Sequence, residues 1–146
     1  MAESHELSYT YCEAILRAGV IGRIGIWADG GPHILPMNYS VVDEAIIMRT
    51  TPDGLLGRHA RGSTVAFEVD HFDYGYRRGV SVVARGDTEV VEHPGELAHI
   101  RSVWQPRPWA SGERSLVLRL PWTELSGRRL GAGWDPMSDL PVRRTL

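Results

Sequence analysis

The sequence predicts a mainly β fold: an antiparallel barrel of about six or seven strands, closed or nearly so, carrying two or three short α-helices. Three observations lead there. After Gly19, apolar residues recur with period two or in short runs rather than at helical spacing. Turn-formers punctuate those runs, with 16 Gly and 9 Pro among 146 residues. Successive runs are joined by tight polar turns, which makes neighbouring strands antiparallel and excludes a doubly wound parallel sheet. Closing such strands into a barrel removes exposed edges.

In chain order, Ser8 caps a helix over Tyr9 to Ala18, with Cys12, Ile15 and Leu16 on one apolar face and Gly19 as terminator. It is expected to act as a lid on the barrel. Ile21 to Ala28 and His33 to Ser40 flank Asp29-Gly30-Gly31, a hairpin signal because glycine tolerates positive φ. Val42-Asp43-Glu44 turns the chain into Ala45 to Arg49, so a three-stranded meander is expected. Leu55 to Ala60 has the composition of a short helix, and Val65 to Asp70 returns to strand. His71 to Arg78 is polar and aromatic and reads as loop. Val80 to Glu92 is long for one strand and has to bend, with Gly86 the place that permits it. Pro94 suits the first turn of a helix reaching about Trp104. Gln105 to Glu113 reads as loop, Ser115 to Leu120 and Leu125 to Leu130 as the last strands, and the tail from Gly131 has no periodicity.

The length suits one domain spanning residues 1–146. A net charge of −2 and pI near 6.3 give no general attraction to nucleic acid or anionic lipid. One cysteine excludes an internal disulfide, and no apolar run has transmembrane length. The N-terminus lacks the pattern of a secretory signal, so a cytoplasmic protein is expected. The six histidines show neither i, i+4 pairing nor a cysteine at ligand spacing, and no metal site is expected. Cys12, on an apolar helix face, reads as an inert buried thiol. No nucleophile elbow, Walker loop or dinucleotide fingerprint occurs.

The segment with most chemical content is IIMRTTPDGLLGRHA, residues 46–60. A strand ends in Arg49 and Thr50, a turn containing Gly54 follows, and a helix starts near Leu55. Backbone N–H groups thus converge beside a guanidinium and a hydroxyl, which is equipment for a phosphate dianion. Arg58, one turn into the helix, adds a second positive charge. Read from the residues alone, an equal alternative stands: Arg49 pairs with a surface carboxylate and Thr50 caps the helix.

The succession GVIGRIGIWADGGPHILPMNYSVVDEAIIMRTTPDGLL, VAFEVDHFDYGYRRGVSVVARGDTEVVEHPGEL and PWASGERSLVLRLPWTELSGRRL resembles the pyridoxamine-phosphate-oxidase-like split-barrel flavoproteins, especially small actinobacterial members related to nitroimidazole reductases. The likeness covers about residues 8–130 and rests on the order of several patterns. It implies a split barrel that forms a homodimer with two flavin sites at the interface.

Pro36, Met37, Asn38 and Tyr39 would then lie along the isoalloxazine, and Arg49 and Thr50 would take the phosphate, with Gly54, Leu55 and Arg58 around it. Taken alone, Pro36 to Tyr39 would simply end a strand at a sheet edge. Trp109 would cover the flavin ring of the partner subunit or anchor its own loop; the nearby Arg107 and Arg114 give that segment the composition of an interface. Phe72, Tyr74 and Tyr76 wall a pocket or, the plainer expectation, pack within their loop. Relatives commonly carry lysine at the position of Leu55, a loss of one charge-assisted hydrogen bond, for which ~1.5–3 kcal/mol is typical. The ending GWDPMSDLPVRRTL differs from the extension with which pyridoxamine phosphate oxidases bind their substrate, so vitamin B6 oxidation is not expected. The resemblance implies FMN and hydride transfer from a nicotinamide donor to a small-molecule acceptor. One alternative is a deazaflavin-dependent reductase, whose longer anionic tail would use Arg58, Arg61, Arg77 and Arg78. Another is a non-enzymatic flavin- or haem-binding protein, or a cofactor-free dimer.

Overall fold

The computed structural model describes residues 4–59, 61–104, 113–131 and 133–136. Its elements are, in order, β1 (Ser4–Glu6), α1 (Tyr9–Ala18), β2 (Ile21–Ala28), β3 (Gly31–Asn38), β4 (Ser40–Val42), β5 (Ala45–Thr50), α2 (Leu55–His59), β6 (Thr64–Asp73), β7 (Arg78–Asp87), β8 (Glu89–Val90), α3 (Pro94–Trp104), β9 (Leu116–Pro121) and β10 (Glu124–Leu130). All pairings are antiparallel. A six-stranded sheet has the order β1-β10-β7-β6-β2-β3 and a four-stranded sheet the order β4-β5-β9-β8. The sheets enclose one core without joining into a ring, so the barrel is split rather than closed.

Local chemistry accounts for the elements that match expectation. Ser8 Oγ accepts from the Tyr11 amide at 3.3 Å, and Cys12, Ile15 and Leu16 of α1 are buried. The β2–β3 turn places Asp29 at φ 50° and Gly30 at φ 82°, the left-handed pair that a two-residue hairpin joining Ala28 to Gly31 requires. Pro32 and Pro36 are tolerated because β3 is an edge strand. Spaced four apart, both fall where the N–H would point away from β2, so the ladder loses no donor.

The strand count exceeds the sequence expectation for three reasons. The run His33 to Ser40 divides at Tyr39, where the chain leaves one sheet for the other, so the expected meander is instead two hairpins in separate sheets. The run Val80 to Glu92 passes straight through Gly86 and divides at Thr88, again crossing between sheets. Inward-facing residues stay apolar on both sides of each crossing, so the periodicity hides the break. The third addition, β1, is a short edge strand with no periodic signal. The expected loop 71–78 shrinks to 74–77, because one face of the β6–β7 hairpin meets solvent and tolerates polar residues within the strands.

Between the sheets, Leu16, Ile24, Tyr39, Ile46, Met48, Phe67, Leu118 and Leu120 form the centre of the core. A smaller cluster, Val42, Ile47, Val91 and Ile100, lies where α3 packs on the other face of the four-stranded sheet. Tyr39 is the buried junction. Its hydroxyl donates to the Leu16 carbonyl at 2.5 Å, and its ring meets Phe67 edge-on at 5.0 Å. Gly19 has φ −77°, so it serves no left-handed cap; a Cβ there would overlap the Tyr39 hydroxyl.

Gly19→Ala is expected to cost about 1–3 kcal/mol by overpacking, and Tyr39→Phe about 1 kcal/mol through the lost hydrogen bond. The double variant should cost clearly less than the sum, because the phenylalanine lacks the atom the new methyl meets. Urea denaturation of the four proteins measures this.

Candidate functional site

The pleat of β5 decides where the expected phosphate ligands point. Ile46 and Met48 face the main core, whereas Ile47 faces α3. Period two therefore puts the buried Thr50 side chain on the core side and the half-buried Arg49 on the α3 side. Adjacent in sequence, they flank the end of the strand from opposite faces. Val117 lies opposite Arg49 and Leu116 opposite Thr50 on β9. Beyond Thr50 the turn is tight: the Gly54 amide donates to the Thr51 carbonyl at 3.3 Å, and the Arg58 amide to the Gly54 carbonyl at 3.0 Å.

On α2, Leu55 packs against the core beside the buried Leu56, which is the work an apolar side chain does there. Arg58 and His59 are drawn to one carboxylate, that of Asp29 in the β2–β3 turn, at 3.8 and 3.2 Å. They tie the helix to the hairpin tip. Pro36 is exposed, Met37 packs against the core, and Asn38 is half-buried at the end of β3. Tyr39 turns its ring into the core, and its amide donates to the Val20 carbonyl at 3.0 Å. β3 and β5 are in contact, which brings the edge strand near the strand that carries Arg49 and Thr50. Trp109 lies outside the described residues.

The four arginines considered for a longer anionic tail do not gather. Arg58 and Arg61 precede β6, and Arg61 pairs with Glu92 at 2.8 Å. Arg77 and Arg78 sit at the far end of the β6–β7 hairpin, roughly 30 Å away at the rise of a strand. Arg78 is stacked between the Tyr76 and Trp134 rings at 4.8 and 5.0 Å. Phe72, expected in a loop, is a strand residue, whereas Tyr74 and Tyr76 occupy the exposed hairpin tip.

Two features go beyond the sequence reading. One is Arg114, noted in sequence only as part of an interface-like segment: it is half-buried just before β9, and its Nε is buried with no hydrogen-bond partner among the described residues. An orphaned guanidinium N–H at the β5 end of β9 fits the donor set an anionic ligand needs. The other lies on the outer face of the six-stranded sheet, where Arg23 Nη1 bridges Glu68 at 3.0 Å and Asp70 at 2.7 Å. Burial, then Asp70, push the Glu68 carboxyl above its ordinary value, with Arg23 opposing. A hollow of about 320 Å³, lined in part by Phe72, Ser81, Val83 and Arg128, opens on that face. A second, of about 440 Å³, lies under α3 between His93, His99 and Arg119. Neither is lined by Pro36 to Tyr39 or by Arg49 to Arg58. Burial also raises the Cys12 thiol, which disfavours the reactive thiolate.

Two antiparallel sheets left open around one core define a split-barrel protein. The chain belongs to the pyridoxamine 5'-phosphate oxidase family, whose model matches residues 9–129. A FAD-binding protein from Mycobacterium smegmatis has a similar structure, with a TM-score of 0.71 and 29% identity over 85% of this chain and 96% of that one. A FAD-binding protein from Mesorhizobium loti shares the fold, with a TM-score of 0.66 and 21% identity over 90% of this chain and 99% of that one. An uncharacterized protein from Mycobacterium tuberculosis is 29% identical over 116 residues, 76% of this chain and 75% of that protein.

Because the Glu68 pKa is raised, the folded chain holds a proton that the unfolded chain releases near pH 4.5. Glu68 therefore contributes most stability below that pH and loses it as pH rises through its folded-state value. Glu68→Gln should flatten the stability–pH curve from pH 4.5 upward, measured by denaturation across a pH series.

Proposed function

We propose that the chain is a flavin-binding protein that works as a homodimer and passes hydride equivalents from a nicotinamide donor to a small acceptor. The observation that carries this reading is the end of β5. There a guanidinium, a buried hydroxyl and a tight turn adjoin an edge strand whose prolines leave carbonyl groups directed away from the sheet. Arg49 and Thr50 would hold the phosphate. The β3 edge from Pro36 to Asn38 would meet the polar rim of the ring. The flavin supplies the hydride chemistry, and the chain binds, orients and screens it from water. FMN contains the whole unit these residues address. FAD, the ligand of the Mycobacterium smegmatis protein, shares that unit.

Support for pairing comes from the outer face of β2 and β3. Trp27 and Ile34, 71% and 72% exposed, stand there with Pro32 and Pro36 around the Arg23–Glu68–Asp70 cluster. Large apolar side chains grouped on one sheet face mark an interaction surface. A second copy would cover this patch with the same patch across a two-fold axis.

The absorption spectrum of the purified protein should show the two visible bands of an oxidised flavin. A colourless protein that also fails to quench added FMN fluorescence sinks the reading. Arg49→Ala should weaken FMN binding about 10- to 100-fold, the loss expected for one charged hydrogen-bond partner. Unchanged affinity would show the phosphate to lie elsewhere. The pair Trp27→Glu and Ile34→Glu should convert a dimer into a folded monomer in light scattering, whereas a dimer that survives both places the interface on another face.

A further inference from the structure

We infer that Arg114 is a second cationic contact for the cofactor's phosphate, a role that rests on the flavin reading above and deepens it. Arg114 stands two residues before Leu116, and Leu116 is paired with Thr50. Exposure alternates through this approach: Glu113 is exposed, Arg114 half-buried, Ser115 exposed and Leu116 half-buried. The approach is thus extended in the sense of the strand that follows. Arg114 shares the side of the ladder that carries Leu116 and Thr50. Continued by two residues, the β5–β9 register sets Arg114 against Pro52, at the turn where the phosphate would sit.

Bonding state and position together single it out: Arg129 also has a buried Nε without a partner among the described residues, but it lies on β10 with its Nη1 donating to the Trp134 carbonyl, whereas Arg114 adjoins the end of β5. Arg17, Arg23, Arg58, Arg61, Arg85 and Arg119 each face a carboxylate within 4 Å. Arg114 Nε is buried and lacks an acceptor among the described residues. A buried guanidinium N–H without an acceptor is unfavourable unless a ligand supplies one, and a phosphate oxygen is the acceptor whose charge and geometry suit it.

Placement and chemistry agree. Arg49 flanks the end of β5 from the α3 side, while Thr50 and Arg114 flank it from the core side. A phosphate just beyond the strand would be met by a guanidinium on each side with the hydroxyl between them. That supplies two cations for a dianion, although Leu55 is apolar and Arg58 is turned to Asp29.

The test compares FMN with riboflavin, which has the same ring and no phosphate, by fluorescence titration of wild type and Arg114→Met. Wild type should bind FMN more tightly than riboflavin. In Arg114→Met the FMN dissociation constant should rise about 10- to 100-fold, with riboflavin binding unchanged within about twofold. An unchanged preference for FMN overturns the inference, and so does an equal loss for both ligands, which would mark a structural residue. Should the methionine variant not fold, Arg114→Gln is read by the same ratio: a reduced FMN preference supports the contact, and a wild-type preference overturns it. Wild type that binds neither ligand overturns the flavin reading and this inference together.

Discussion

Most of the architecture depends on how the chain gets from one sheet to the other at Tyr39. A split barrel needs a crossing point that stays buried yet satisfies its polar atoms. Tyr39 does this with one side chain. Its ring fills the space between the sheets against Phe67, and its hydroxyl reaches back to the last turn of α1 at Leu16. The same contact seats α1 across the barrel end and demands a residue without Cβ at Gly19. Strand β3 ends one residue earlier and β4 begins one residue later. The end of β3 and the start of β4 are therefore positioned through a single core residue, and β4 in turn pairs with β5, which carries the candidate site.

How much of this was legible in sequence follows from the range of each signal. The α1 boundaries and the Asp29-Gly30 turn are written in neighbouring residues, and the structure repeats them. The family likeness carried the split barrel. The crossings at Tyr39 and Thr88 were hidden because an inward residue stays apolar whichever sheet it belongs to. At the candidate site, residue types were visible but side-chain directions were not. Arg49 and Thr50 look like one unit in sequence, yet the pleat sends them to opposite faces. The attachment of Arg58 and His59 to Asp29, some thirty positions away, is a tertiary contact without a local signature. Arg114 likewise means little in sequence, since its interest lies in a buried N–H and in its place beside β5.

Distribution of charge sharpens the picture of the site. This chain commits Arg17, Arg23, Arg58, Arg61, Arg85 and Arg119 to its own carboxylates, largely in exposed pairs worth little stability individually. Such pairing still has a consequence, because a guanidinium already facing a carboxylate carries less net field toward a passing anion. Positive potential is then concentrated where pairing is incomplete. The approach to β9 is one such place, and it adjoins the end of β5.

The split itself leaves a strand edge to be managed. β3 has a neighbour on one side only, and an open edge invites another strand. Pro32 and Pro36 remove the outward donors at two of its positions, so a foreign strand finds an interrupted ladder there. The carbonyl oxygens at those positions persist, which suits a ligand edge that donates hydrogen bonds better than a strand that must both donate and accept. Association by strand addition is thereby disfavoured, while the adjoining face, with Trp27 and Ile34, remains open to flat packing. The same two prolines thus keep the edge for a small molecule and direct any partner chain to the face.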